Sequence, residues 1–311
     1  MLLQAAVPGL ASLQSRTLGA PSVTVAVLDG PVDLAHPVLR GASLRLLDTL
    51  VGEPAGGGRM SRHGTHVTSL VFGRPGSAVP GAAPGCSGLV VPVFADGRED
   101  HLPQLDLARA IEQAVLEGAH VINISGGQSA PTGEADHLLQ KALELCEAQH
   151  VLVVAAAGND GCACLHVPAA VSTVLAVGAL GRDARPLPIS NYGELYRTNG
   201  VVAPGEDLTG AVPGGGTADM TGTSFATPVV AGVAALLLSL QAAEGAPLDP
   251  LEVGAAILGT AAACRPTEAA ECQHFLAGAL DIPRAVASLT AKKKGGRRCQ
   301  TSMGPRTLLA A

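Results

Sequence analysis

Aromatic and charged residues are scarce in this 311-residue sequence. It contains no Trp, aromatic residues make up 2% of it and charged residues 15%, whereas 47% is hydrophobic. The volume of the core must therefore come from aliphatic side chains and alanine, which suits a buried parallel sheet covered by Ala-rich helices. The length allows one large α/β domain or two ordinary ones.

Three further absences each exclude a class of partner or location. A net charge of −6 argues against nucleic acid as a partner. The richest apolar run, 229–240, is too short to cross a bilayer, so we expect no membrane partner. Residues 1–16 have no basic segment ahead of an apolar one, so the sequence predicts a protein that is not secreted and is cytoplasmic.

The seven cysteines are an odd number. In a cytoplasmic protein, cysteines mostly serve as small buried hydrophobic residues or free thiols. Cys162 and Cys164 leave a metal site open, but no second Cys/His pair has the spacing of a zinc site, and we therefore predict no metal. Cys264 and Cys272 are close enough in sequence to bridge a loop.

Strands and helices alternate in the predicted secondary structure. Apolar runs predict strands at 22–28, 88–94, 121–125, 151–156, 174–178 and 200–203, and apolar periodicity predicts helices at 105–117, 135–149 and 223–241. Such alternation predicts right-handed crossovers and a parallel sheet, whose ligands lie beyond the carboxyl ends of the strands. Asp29, Ser125 and Asn159 all fall at that edge.

Three short motifs carry a family resemblance. VAVLDG at 25–30, RHGTHV at 62–67 and GTSFATP at 222–228 resemble, in that order, the three signatures of the subtilisin-like serine peptidases. Further segments at 121–125, 155–159, 189–193 and 201–205 also resemble the family. The resemblance implies an α/β, three-layer subtilisin-like fold, with a central and mostly parallel sheet flanked by helices, and it implies no cofactor.

The chemistry of a serine nucleophile asks for the same residues. A Ser hydroxyl is a poor nucleophile and needs an adjacent base. His63 is suited to accept the proton of Ser224, and Asp29 to fix the tautomer of the imidazole. His66, in the same motif, is predicted to be structural. By resemblance, Asn159 is the oxyanion-hole residue, whose side-chain amide donates to the tetrahedral intermediate.

Two segments resemble the walls of the family's substrate cleft. They are Ser125, Gly126 and Gly127 on one side, and Ala155, Ala156, Ala157 and Gly158 on the other. A peptide substrate is expected to bind there in extended form, with main-chain hydrogen bonds supplying affinity. His166 lies where the family has a residue at the base of the S1 pocket, which favours an acidic or polar P1 side chain.

The residues after Asp29 depart from the family pattern. Most subtilisins have a hydroxyl residue there, whereas this chain has Gly30 and then Pro31, so a hydrogen bond to the carboxylate is lost. The sequence LDGPVDLAHP resembles the maturation proteases of cyanobactin clusters, which process ribosomal peptides. That branch also contains macrocyclases, which carry a helical insertion between Asp and His. The segment between Asp29 and His63 has no helical pattern, which favours hydrolysis; a peptide macrocyclase and a non-catalytic peptide-binding pseudoprotease stay as alternatives.

The sequence divides into three parts. Residues 1–21 are predicted to be an N-terminal extension, 22–290 the peptidase domain, and 291–311 a basic, disordered tail. No acidic cluster resembles the family's calcium loop, so calcium is unsupported. The sequence does not determine the oligomeric state.

Overall fold

A computed structural model describes residues 1–51, 57–97, 103–264 and 272–300, with the side chains of 292–300 outside the description. The strands are β1 (Thr24–Asp29), β2 (Leu44–Leu46), β3 (Ser87–Pro92), β4 (Val121–Ile124), β5 (Gln128–Ser129), β6 (Leu152–Ala156), β7 (His166–Val167), β8 (Leu175–Leu180), β9 (Gly200–Pro204), β10 (Leu208–Val212) and β11 (Gly216–Met220). The helices are α1 (Leu3–Ala6), α2 (Leu10–Gln14), α3 (Arg59–Phe72), α4 (Gln104–Leu116), α5 (His137–Ala148), α6 (Tyr196–Asn199), α7 (Thr223–Ala243), α8 (Pro250–Gly259) and α9 (Ile282–Gln300).

The central sheet has seven parallel strands in the order β2-β3-β1-β4-β6-β8-β9, which confirms the predicted fold class. The first strand, β1, lies between β3 and β4, so the direction in which strands are added reverses beside it. Such a reversal opens a crevice at the carboxyl ends of the strands. Asp29 ends β1 at this crevice, opposite Pro92 of β3.

Alternate residues of β1 pack on opposite faces of the sheet, as the period of a strand requires. Val25 and Val27 belong to the hydrophobic cluster that contains α3 and α7. Ala26 and Leu28 belong to the cluster that contains α4 and α5. The next side chain in this alternation, Asp29, therefore lies on the face covered by α3 and α7.

Helix α7 is buried along almost its whole length. Its length and mean hydropathy would suffice to cross a membrane, yet 89% of its apolar window is buried inside the protein. A core helix has the same composition, because neighbouring strands and helices cover it on all sides.

Helices near the two termini contribute side chains to the core. Leu3, Leu10 and Leu13 of the predicted N-terminal extension are buried in the same cluster as α7. Helix α9 buries Ile282 and Leu289 in that cluster and continues to Gln300, past the boundary at 291 where the sequence predicts a disordered tail. Lysine and arginine are good helix formers, so a helix anchored by its apolar first turns extends into the basic segment. Residues 301–311 lie outside the described residues.

The six cysteines whose side chains the structure describes fall into two groups. Cys86 and Cys146 are buried free thiols, and burial raises the pKa of Cys146 to about 12. Cys162–Cys164 and Cys264–Cys272 form disulfides, with Cα–Cα distances of 5.1 Å and 5.4 Å. The loop bridge that the spacing of Cys264 and Cys272 allows is thus present. The expectation of small buried residues or free thiols is wrong for Cys162 and Cys164, because one intervening residue leaves their Cα atoms within the range that a disulfide spans.

Candidate active site

Asp29 and His63 meet at the carboxyl edge of the sheet. The His63 Nδ1–H donates to Asp29 Oδ1 at 2.7 Å, and the Gly30 N–H donates to the same oxygen at 2.6 Å. The Asp29 side chain is fully buried and the His63 side chain is 20% exposed. This bond fixes Nδ1 as the protonated nitrogen and leaves Nε2 as the basic atom.

The backbone is packed so closely where β1 meets the start of α3 that two glycines there leave no room for a side chain. A Cβ at Gly30 would overlap the carbonyl oxygen of Met60, and a Cβ at Gly64 would overlap the carbonyl oxygen of Gly30. Asp29 Oδ2 is buried and has no hydrogen-bond partner among the described residues. Most subtilisins have a hydroxyl residue after Asp29. In this chain the start of α3 fills the space that such a side chain would occupy.

The carboxylate of Asp96 caps the helix that carries His63. Its Oδ1 accepts from the backbone N–H of Met60 at 2.6 Å and of Ser61 at 3.2 Å, and its Oδ2 accepts from the Ser61 hydroxyl at 2.7 Å. A helix leaves its first N–H groups without partners, and a carboxylate there satisfies them. Sequence reasoning missed this role, because an Asp-Gly pair after a strand indicates only a turn.

Ser224 is the second residue of α7 and is nearly buried. The ring of the next residue, Phe225, lies 5.2 Å from the His63 ring and 4.7 Å from the His66 ring, measured between centroids. Among the described residues the Ser224 hydroxyl makes no hydrogen bond. Catalytic hydrogen bonds are often long without substrate and tighten when it binds.

Asn159 follows β6 and is exposed. Its Oδ1 accepts from the Thr223 N–H at 2.9 Å and from the Thr223 hydroxyl at 3.1 Å. With the oxygen held by both donors, the Nδ2 donors stay available beside the start of α7. The sequence pointed to Asn159 but not to Thr223, whose role as an anchor depends on a contact between distant segments.

The first predicted wall runs from Ser125 into β5. Ser125 is buried and its Oγ accepts from Asn123 Nδ2 at 2.9 Å. A Cβ at Gly126 would lie 2.5 Å from the Phe94 ring, and one at Gly127 would lie 2.8 Å from the carbonyl oxygen of Val167. Strand β5 then pairs antiparallel with β7, which places Ser129 opposite His166. The wall and the predicted base residue are thus joined by one small sheet.

The second predicted wall is tied to His166 through Tyr196. Ala155 and Ala156 end β6, and the Tyr196 hydroxyl donates to the carbonyl oxygen of Ala157 at 3.0 Å. The same phenol accepts from the His166 N–H at 2.8 Å, and burial raises the pKa of Tyr196 to about 12. His166 Nδ1 would lie 3.0 Å from a Cβ at Gly158, so its ring adjoins this wall.

Asp160 lies on the outer side of His166. Its Oδ2 is 2.6 Å from His166 Nε2 and accepts from Asn191 Nδ2 at 2.9 Å. The hydrogen bond from Asn191 is the main reason that the pKa of Asp160 lies below its ordinary value. The sequence indicated His166 but neither Asp160 nor Asn191, because Asp160 and Asn191 lie in loops that are distant along the chain.

His66 makes contacts consistent with its predicted structural role. Its Nε2–H donates to the carbonyl oxygens of Leu208 at 3.0 Å and Ala218 at 3.1 Å, which joins α3 to the β10–β11 hairpin. Burial lowers the pKa of His66 to about 4, so the ring is neutral near pH 7.

With this geometry in view, the family follows from comparison with known proteins. The sequence matches the Subtilase family over residues 20–298, and the chain belongs to that family of subtilisin-like serine endopeptidases. It is 36% identical over 225 residues to the thermophilic serine proteinase of Bacillus sp. (strain AK1), covering 72% of this chain and 54% of that protein. It is 36% identical over 231 residues to subtilisin BL of Lederbergia lenta, covering 72% of this chain and 78% of that protein. The chain thus spans about half the length of the first relative.

Solved structures indicate which branch of the Subtilase family this chain resembles. The structure of the prenylagaramide maturation protease PagA is similar to this chain with a TM-score of 0.86 and 52% identity, covering 92% of this chain and 99% of that one. The PatG macrocyclase in complex with peptide has a TM-score of 0.86 and 32% identity, covering 92% and 97%. The predicted resemblance to cyanobactin maturation proteases is confirmed.

Proposed function

We propose that this chain is a serine endopeptidase that hydrolyses peptide bonds through an acyl-enzyme, with Asp29, His63 and Ser224 as its catalytic triad. The observation that carries the proposal is the 2.7 Å hydrogen bond from His63 Nδ1 to the buried Asp29, on the face of the sheet where α7 presents Ser224. A buried carboxylate costs free energy unless it is paired, and the pairing of Asp29 with His63 offsets that cost.

The proposed reaction follows from these positions. His63 Nε2 takes the proton of Ser224 Oγ as the oxygen attacks the scissile carbonyl, and Asp29 stabilises the resulting imidazolium. Asn159 Nδ2 donates to the oxyanion, oriented by the bonds between its Oδ1 and Thr223. His63 then gives the proton to the leaving amine, and water hydrolyses the ester on Ser224.

The proposed substrate is a ribosomal precursor peptide whose leader is removed. It binds in extended form between the wall 125–127 and the wall 155–158, with P1 directed towards His166. The similarity to the maturation proteases PagA and PatA at 52% identity supports this choice over a general digestive role. Between Asp29 and His63, the described residues 30–51 and 57–58 form β2 and no helix before α3, which supports hydrolysis over macrocyclisation.

A fluorophosphonate probe tests the proposal, since it reacts with an activated serine. The wild-type chain should be labelled, and Ser224→Ala should not be. Ser239→Ala is a matched control, because Ser239 is buried in the same helix and far along it, and it should be labelled like the wild type. No labelling of the wild type would favour a peptide-binding pseudoprotease. Incubation with precursor peptides then separates the two activities: linear acids support hydrolysis, and cyclic products contradict it.

A further inference from the structure

The aromatic ring of Phe225 lies between two histidine rings of α3. Phe225 follows Ser224 directly in α7 and is 7% exposed. Its ring centroid is 5.2 Å from that of His63 and 4.7 Å from that of His66, distances at which aromatic rings are in contact. The two histidines are three residues apart in α3, so they lie on the same face of that helix. One ring of α7 thus contacts both imidazoles.

The His63 ring needs a second contact to keep its orientation. Its side chain is 20% exposed, and among the described residues it makes one hydrogen bond, from Nδ1 to Asp29. A ring that is bonded through one atom can still pivot about that atom. Such a pivot would carry Nε2 away from Ser224, and proton transfer requires the two atoms to be within hydrogen-bond reach. The ring of Phe225 packs against the imidazole at an angle of 48° and opposes this movement.

Phe225 is itself supported from its other side by His66. The two rings meet at an interplanar angle of 67°, in the edge-to-face arrangement that aromatic pairs favour. The His66 ring is fixed, because its Nε2–H donates to two carbonyl oxygens of the β10–β11 hairpin. The backbone of β10 also lies against this ring, since a Cβ at Gly210 would be 2.5 Å from it. The support of His63 therefore extends from the hairpin through His66 and Phe225.

We propose that Phe225 is a positioning residue for the peptidase reaction, because its ring, supported by His66, holds the His63 imidazole between Asp29 and Ser224. The inference rests on the proposed function. A planar ring keeps its contacts with both imidazoles at once. A leucine side chain is smaller and leaves space into which His63 can turn.

Steady-state kinetics with one peptide substrate tests this role. Phe225→Leu should lower kcat by about tenfold, because a displaced His63 slows both formation and hydrolysis of the acyl-enzyme. It should change KM by less than about twofold, since the buried ring offers little surface to a substrate. Phe225→Tyr keeps the ring and should retain about half of the wild-type kcat or more. Each kcat is expressed per serine titrated with a fluorophosphonate, so that unfolded chains do not count.

Phe72→Leu is the matched control. Phe72 is a buried ring in the same hydrophobic cluster as Phe225 and ends the helix that carries His63. Its replacement removes the same atoms from the core without touching the catalytic imidazole. The variant should therefore have a lower midpoint of chemical denaturation and an unchanged kcat.

Proton NMR tests the position of His63 without reference to turnover. The proton in the short hydrogen bond between His63 Nδ1 and Asp29 should resonate far downfield, and Asp29→Ala should identify the signal by removing it. The signal should persist in the wild type, in Phe225→Tyr and in Phe72→Leu. It should broaden or disappear in Phe225→Leu, because a pivoting ring exposes the proton to exchange with water.

Three results would overturn the inference. They are a kcat in Phe225→Leu equal to that of the wild type, a rise in KM without a fall in kcat, and a fall in kcat with an unchanged downfield signal. The last result would place the effect on Ser224 instead of His63. A wild type that shows the signal but no turnover contradicts the proposed function, and the signal in Phe225→Leu then decides the positioning role on its own.

Discussion

The two halves of the candidate site are held in different ways. At the corner between β1 and α3, backbone atoms pack so closely that Gly30 and Gly64 have no room for a Cβ. In the segment after Asn159, side chains hold the backbone instead, through Thr223, Tyr196 and Asn191. The first half is thus fixed by shape, and the second by hydrogen bonds that single substitutions can remove one at a time.

Restoring the family's hydroxyl residue at position 30 should destabilise the corner between β1 and α3, and we expect this to be the largest effect on stability. Gly30→Ser places a Cβ against the carbonyl oxygen of Met60, so α3 must move or the chain must unfold. We expect a loss of about 3 kcal/mol or more in the free energy of unfolding, as for overpacking against backbone. Chemical denaturation measures it. Gly259→Ser is the control, since a Cβ there meets nothing within 4 Å. Unchanged stability and higher activity in Gly30→Ser would mean that the corner is open to side chains.

Substitutions at Asn159 and at its anchor Thr223 should lower kcat by different amounts. Asn159→Ala removes the proposed oxyanion donor and should lower kcat by roughly 10²–10³-fold, a range set by the corresponding donor of a subtilisin, with little effect on KM. Thr223→Val removes one of the two bonds to Asn159 Oδ1 and keeps the N–H. It should cost about 1 kcal/mol, or roughly fivefold in kcat. Steady-state kinetics with one peptide substrate measures kcat and KM for both variants and the wild type. An equal loss in both variants would contradict a graded response.

The cap on α3 should give the smallest effect. Asp96→Ala leaves two backbone N–H groups of α3 without their acceptor, which costs about 1 kcal/mol in the free energy of unfolding. Asp96→Asn keeps an acceptor oxygen and should recover most of that loss. Thermal unfolding of the two variants beside the wild type measures both. A fully stable Asp96→Ala variant would show that the corner needs no cap.

The same contrast explains what the sequence could predict. The parallel strands and α7 follow from apolar runs, and the triad positions from three motifs, because both are local patterns. The clash at Gly30, the cap from Asp96 and the anchor at Thr223 depend on contacts between segments distant along the chain, so no local pattern indicates them. The disulfide at Cys162 was missed because its spacing fits a metal site as well as a bond.

The two short N-terminal helices pack on the domain more closely than their composition indicates. The sequence sets residues 1–21 apart as an extension by composition, yet Leu3, Leu10 and Leu13 are buried in the main cluster. A few apolar residues at helical spacing suffice to anchor a segment when a partner surface exists. Composition alone does not reveal that surface.

The burial of His66 between α3 and the β10–β11 hairpin makes the stability of the fold sensitive to acid. The pKa of His66 is about 4 in the folded chain, below the ordinary value of 6.5 that the unfolded chain has. Between these values the unfolded chain binds a proton that the folded chain does not. Stability is therefore complete above pH 6.5 and falls as the pH drops towards 4, by at most about 3 kcal/mol. The proton thus acts as a ligand of the unfolded state, and the buried imidazole that joins α3 to the hairpin sets the pH range in which it binds.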